Sequence, residues 1–406
     1  MYSCVNSYFS GMTKTRIIRK KVIELFNSEP ITGVMLICCV VLAMLIANSA
    51  AGPAFEGLLN TELGWNTSYV HLRYPVINWI NDGLMALFFL YVGLEIKREL
   101  IEGELSSLKQ ASLPIFAAIG GMLVPAFIYY LFNRNSDTLS GWGIPMATDI
   151  AFAIAILSIL GKRVATSHKI FLKALAIVDD LGAIVVIAIF YTGNLNLNYL
   201  YMAAAVFLVQ LLFNRIGFKH AAFYLIPGAF LWYFIHSSGI HATIAGVLTA
   251  FTIPMKKNAQ QSSTLERLEH ALTQPVNFLI MPLFALANTN IQFENGMIAA
   301  LLTPLSLGII AGLVLGKPLG IFLMSFFAVK LGASKLPENS RWIQIWGLGM
   351  LGGIGFTMSI FIALLSFSQP EYQTEAKFCI LLASVIAGVS GYLFLSNANK
   401  KQGLNA

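Results

Sequence analysis

The sequence predicts an all-α polytopic membrane protein with twelve transmembrane helices, and three observations predict it. Hydrophobic residues make up 57% of the 406 and charged residues 11%, with a mean hydropathy of +0.73. A soluble chain of this size carries about a quarter charged residues to keep its surface in water. Second, twelve apolar runs approach the length of about 20 residues, at 1.5 Å each, that crosses a hydrocarbon core about 30 Å thick. Third, the basic residues sort to one side of the segments so defined, as the positive-inside rule requires. That sorting accounts for the net charge of +7 without any nucleic-acid partner.

The twelve segments lie near 31–50, 76–96, 111–132, 144–161, 170–191, 198–214, 221–236, 240–254, 275–290, 303–329, 343–367 and 377–396. The run from Ala221 to Met255 carries no Asp, Glu, Lys or Arg. It is too long for one crossing, so Ser237-Ser238-Gly239 is read as a turn between two. Lys14, Arg16, Arg19, Lys20 and Lys21 precede the first segment and hold the amino terminus in the cytoplasm. A cleaved signal peptide fits less well, because the apolar run from Ile31 is long and eleven more follow. Both termini are then cytoplasmic, and 22 of the 26 Lys and Arg fall on that side. This divides the chain into an amphipathic cytoplasmic segment (1–27), one transmembrane domain (28–398) and a cytoplasmic tail (399–406). Thr13 to Phe26 reads as an interfacial helix, and the alternation Tyr69 to Tyr74 as a strand in the first outer loop. Cys38, Cys39 and Cys379 lie in apolar runs and, with Cys4, suggest small hydrophobic residues rather than disulfides or metal ligands.

Four aspartates, Asp82, Asp149, Asp179 and Asp180, and one lysine, Lys317, fall inside these segments. An ionised group near mid-membrane costs at least about 2.5 to 3.5 kcal/mol, so five of them require a hydrated site and a function. Asp179 and Asp180 are neighbours about 100° apart on a helix; one can face a cavity while the other faces a packed helix. Two carboxylates so close and partly desolvated do not both ionise readily, so the pair can hold protons. Oxygen ligands also suit hard cations. A site that holds either H⁺ or a cation, and that faces one side at a time, couples the two flows.

Pro145 disfavours helix before it and denies a donor, so the fourth segment is predicted to break. Thr148 and Asp149 then start a half-helix, where Asp149 serves as an N-cap or binds a cation. Gly352, Gly353 and Gly355 predict a second break, in the eleventh segment, tolerable only inside protein or beside a cavity. Thr148 to Phe152 and Thr357 to Phe361 share Thr and Phe at one spacing. Paired breaks in separate segments point to an inverted-repeat transporter. Lys317 lies too deep to reach the interface, so it is neutral, paired with an acid, or set against helix C-termini.

Several strings in order, Trp79-Ile80-Asn81-Asp82, Val92 to Leu100, Ala147-Thr148-Asp149-Ile150-Ala151-Phe152, the Asp179-Asp180 run, Gly316-Lys317-Pro318-Leu319-Gly320 and Gly355 to Ser359, make the chain resemble the NhaA family of bacterial Na⁺/H⁺ antiporters over about residues 28 to 396. The resemblance implies the inverted-repeat antiporter fold with discontinuous, crossed helices 4 and 11, in the inner (cytoplasmic) membrane. It implies electrogenic exchange of cytoplasmic Na⁺ or Li⁺ for external H⁺, with no cofactor and no enzymatic activity. Asp180 becomes the main cation ligand, with Asp179, Asp149 and Thr148 beside it, and Lys317 pairs with Asp179 or balances half-helix ends. Alkaline activation is implied through Glu95, Glu99, Glu269 and His270. Glu95 and Glu99 share a helix face, while a second histidine common in relatives is Thr273 here. His241 also matches the family, and an outer hairpin implies a homodimer. Two other readings compete. Sodium-coupled uptake of an organic anion calls for a roomy cavity without paired aspartates. Intramembrane aspartyl proteolysis could use Asp149 and Asp180 but leaves Asp179 and Lys317 without a place.

Overall fold

The computed structural model describes residues 29–67, 71–161, 164–193, 195–255, 262–293, 296–338 and 340–403. The interfacial helix expected at Thr13 to Phe26, the strand residues Tyr69 and Val70, and Cys4 lie outside the described residues. The architecture is all-α. After α1 (Glu29–Ala47) the chain turns by 112° into α2 (Gly52–Leu59). A short antiparallel ribbon follows, β1 (Glu62–Leu63) against β2 (Tyr74–Pro75), held by Arg73 and Glu62 at 2.7 Å. Then come α3 (Val76–Ile101), α4 (Leu108–Asn133), a 3₁₀ helix (Asp137–Met146) with α5 (Ile150–Ile159), and α6 (Thr166–Phe190). Next are α7 (Leu197–Ile216), α8 (Ala222–Ser237), α9 (Ile244–Thr252) and α10 (Thr264–Asn288). The chain closes with α11 (Pro304–Lys330), α12 (Trp342–Gly352), α13 (Phe356–Ser366) and α14 (Pro370–Gly403).

Among the described residues six helices are long and apolar enough to cross a membrane, or nine if each bent pair counts once. Three of the twelve expected segments fall short on that measure for identifiable reasons. α6 carries Lys173, Asp179 and Asp180, and α8 and α9 have 16 and 9 residues. Three segments begin seven or more residues earlier than expected. The fourth starts with the 3₁₀ turns from Asp137, α10 starts at Thr264, capped by reciprocal bonds between Ser263 and Glu266, and α14 starts at Pro370. Polar residues hide all three beginnings from a reading of apolarity. The turn between α8 and α9 occurs where expected, with Gly239 at φ 87°, a left-handed geometry that favours glycine.

Large side chains such as Leu123, Phe127, Leu208, Ile226 and Val385 point outward, an apolar surface suited to lipid. Inward, Phe89, Phe284, Phe361, Ile144 and Leu348 pack around the two helix breaks. α4 and α11 meet at Gly120 and Gly320, where a Cβ on Gly320 would lie 2.1 Å from the Gly120 carbonyl oxygen. Backbone has no rotamer with which to yield. Gly320→Ala is therefore expected to destabilise by about 1 to 3 kcal/mol, seen as a lower midpoint of thermal unfolding in detergent. Gly57→Ala, with open space around the added methyl, should leave that midpoint unchanged or raise it.

Candidate functional site at two interrupted helices

Both expected breaks are present. The 3₁₀ helix ends at Met146, Ala147 and Asp149 are extended, and α5 leaves at 43°. α12 ends at Gly352 and α13 leaves at 49° after Gly353-Ile354-Gly355. Gly353 has no room for a side chain, since a Cβ would stand 2.3 Å from the Leu313 carbonyl oxygen. Breaking a helix orphans backbone groups that must be satisfied when water is absent. Here each break supplies the other. The Asp149 N–H donates to the Ile354 carbonyl at 2.6 Å. The Thr148 hydroxyl reaches the Gly352 carbonyl at 2.8 Å, and the Ser359 hydroxyl the Ile144 carbonyl at 2.7 Å.

The Asp149 carboxylate binds both half-helix starts. Oδ1 accepts from the Phe152 N–H at 3.2 Å; Oδ2 accepts from the Thr357 N–H at 3.2 Å and from the Thr357 hydroxyl. Two positive helix ends thus converge on one negative charge. The N-cap expectation for Asp149 is met, with the addition that it caps two helices. Thr357 is a member of the site that the sequence reading quoted without assigning; its shared spacing with Thr148 was the signal.

Asp179 and Asp180, both buried on α6, have different surroundings. Asp179 Oδ2 accepts from Lys317 Nζ at 2.6 Å and from the Thr148 hydroxyl at 2.7 Å. Thr148 has one hydrogen to share between this carboxylate and Gly352. Lys317 also donates to the Met146 carbonyl, so it meets an acid and the end of a half-helix together. The Asp180 Oδ1 and Asp179 Oδ1 atoms have no hydrogen-bond partner. Asp180 borders a cavity of about 200 Å³ whose wall also includes Thr148, Asp149, Thr357, Glu95 and Lys173. Among the described residues no three Asp, Glu, His or Cys side chains converge as a ready-made metal chelate. Asp149 and Asp180 line this cavity, whereas Asp179 is engaged by Lys317 and Thr148.

In the wall of the same cavity Glu95 pairs with Lys173 at 2.8 Å, and nearby Arg98 pairs with Glu99 at 3.0 Å and Glu269 at 3.2 Å. Three of the four residues expected as a cytoplasmic cluster therefore meet, and two cations bind them together. His270, next to Glu269 and about 100° round α10 from it, is exposed. Thr273 donates within its own helix to the Glu269 carbonyl at 2.9 Å. Asp82 lies elsewhere, 3.5 Å from His241.

A multi-helix membrane protein with buried charges at the junction of two interrupted helices has the make-up of a secondary transporter. The chain belongs to the Na⁺/H⁺ antiporter 1 family, whose sequence model matches residues 23–395. It is 58% identical to Na(+)/H(+) antiporter NhaA 2 of Flavobacterium johnsoniae, over 98% of this chain and 97% of that one. It is 52% identical to Na(+)/H(+) antiporter NhaA of Dechloromonas aromatica over 95% and 97%, and 47% identical to that of Pelagibacter ubique over 93% and 97%.

The Lys317–Asp179 pair is fully buried, so removing one partner strands the other's charge at a cost of about 3 to 5 kcal/mol. Lys317→Met is expected to lower the thermal midpoint in detergent, and Lys317→Met with Asp179→Asn to recover most of the loss. A double variant no more stable than the single would remove the pair as the cause.

Proposed function

We propose that the chain extrudes Na⁺ or Li⁺ in exchange for external H⁺ by alternating access around Asp179 and Asp180. One observation carries this reading: a buried carboxylate oxygen of Asp180 has no partner and stands at the wall of the cavity, one residue from the Lys317-bound Asp179. An unpaired buried carboxylate is costly and takes up a cation or a proton. A cation that binds there must displace the proton, and the proton returns when the cation leaves, so one site serves both flows. If the cation also draws on Asp179, it competes with Lys317 for that carboxylate. Releasing more than one proton per cation makes the exchange electrogenic, and the membrane potential then drives the cation outward.

In this reading twelve crossings place both termini in the cytoplasm of a bacterial inner membrane. The 3₁₀ helix with α5 and α12 with α13 are the crossed fourth and eleventh spans of an inverted repeat. Glu95, Glu99, Glu269 and His270 set the pH response, and the β1–β2 ribbon joins two copies. Uptake of an organic anion suits the site poorly, because Glu95, Asp149 and Asp180 in the cavity wall would repel it.

Everted vesicles energised to acidify their interior provide the test. Wild type should collapse the proton gradient on addition of Na⁺ or Li⁺, and Asp180→Asn should lose this response by at least about tenfold, the factor that 1.4 kcal/mol of lost cation binding represents. Unchanged exchange in Asp180→Asn rejects the site assignment.

A further inference from the structure

The wall of the Asp180 cavity contains one cation that no part of the exchange uses. Lys173 lies seven residues before Asp180 on α6, hence on nearly the same helix face and about 10 Å closer to the helix start at 1.5 Å per residue. Its ammonium is 2.8 Å from Glu95 Oε1; the glutamate side chain is 11% exposed and the lysine 39%. A second cavity, of about 300 Å³, is lined by Glu99, Gly103, Glu104, Ile170, Ala174, Ile177 and again Lys173. Lys173 belongs to the walls of both cavities. On one side are Glu99 and Glu104; on the other are Glu95, Asp149 and Asp180.

The charges around it set its effect. Arg98 on α3 is occupied by Glu99 and, across to α10, by Glu269, and stands 4.0 Å from Glu95. Lys173 is thus the nearer cation to Glu95, and its stem and head occupy the partition between two acid-lined spaces. A cation passing between the two spaces meets a fixed positive charge. That charge repels it, and it also holds Glu95, the acid best placed to attract it.

On the reading of Asp180 as the exchange site, we infer that Lys173 is a positioning residue that sets cation affinity on the cytoplasmic approach: it holds Glu95 and places a positive barrier between the two cavities. Removing it should lower the KM for Na⁺ and Li⁺. A unit charge about 10 Å away changes cation affinity about twofold at the dielectric of water and about seventeenfold at an effective dielectric of about 20. The KM is expected to fall within that range. The proton is also a unit cation and gains equally, so the comparison belongs at alkaline pH, where protons compete least.

Everted vesicles turn the cytoplasmic face toward the added cation. Lys173→Met is expected to lower the KM within that range, with the maximal rate changed less than about twofold. Lys173→Arg keeps the wild-type KM, and Lys173→Met with Glu95→Gln, which removes both charges, returns it toward wild type. Glu95→Gln and the double variant differ by the same single charge, so they carry the comparison if Lys173→Met accumulates poorly. A lysine that only stabilises the fold would lower rate and thermal midpoint and leave the KM in place, and that result overturns the inference. So does an equal KM shift in Lys173→Arg. Asp180→Asn run alongside separates the two questions: retained exchange there rejects the exchange site, whereas lost exchange with an unmoved KM in Lys173→Met rejects the barrier alone.

Discussion

The constraint on which the structure depends is that backbone broken inside an apolar bundle must find its hydrogen bonds within the protein. Two breaks placed together solve what one could not. Asp149 N–H meets the Ile354 carbonyl, Thr148 the Gly352 carbonyl, Ser359 the Ile144 carbonyl and Lys317 the Met146 carbonyl. An unsatisfied group in such surroundings costs several kcal/mol. Each break would be costly alone, and their adjacency converts that cost into a set of mutual contacts. The ionisable side chains then arrive at this junction as partners of the backbone, before any role in transport is considered.

From that follows a division among the three aspartates. Asp149 has both carboxylate oxygens engaged by donors from two helix starts. Asp179 is half engaged, with one oxygen on Lys317 and Thr148 and the other without a partner. Asp180 is the least supplied and borders the cavity. Donor supply, set by neighbouring backbone and side chains, separates three chemically identical groups into a cap, a paired acid and an open acid. On the proposed reading, exchange uses that last kind of group, one whose buried charge is answered by a mobile cation.

Much of this was legible in the sequence, for local reasons. Pro145 and the Gly352 to Gly355 run act on their own backbone, so both breaks could be placed to within a residue or two. Asp149 follows such a break and is therefore a cap. Adjacent Asp179 and Asp180 had to diverge because of helix geometry alone. Long-range pairing was less accessible. Lys317 needed an acid or a helix end, and the fold supplies both, but its partner Asp179 lies 138 residues away and no local rule selects it over Asp149 or Asp180. The polar beginnings at Asp137 and Thr264 escaped because apolarity locates the lipid-facing length of a helix and says nothing of its extension beyond. Lys173 carries no local mark that sets it apart from Lys169, four residues earlier; its partner Glu95 on α3 does so.

The two acceptors of Lys317 also bear on how exchange could proceed without unfolding the site. Were its ammonium bound by Asp179 alone, a cation taking that carboxylate would leave a buried positive charge with no partner, an arrangement as costly as the one relieved. The Met146 carbonyl provides a second acceptor, at the end of a half-helix whose dipole favours positive charge. Lys317 also rides on α11, whose glycines meet their neighbours at backbone distance, Gly320 at Gly120 and Gly316 at Pro125. A change in the Lys317 partnership is therefore borne by two packed helices and the end of the 3₁₀ helix together, and such interfaces shift between discrete arrangements rather than yielding gradually. On the proposed mechanism, the same backbone contacts that satisfy the break tie occupancy of the carboxylates to the position of the half-helices, the coupling on which alternating access depends.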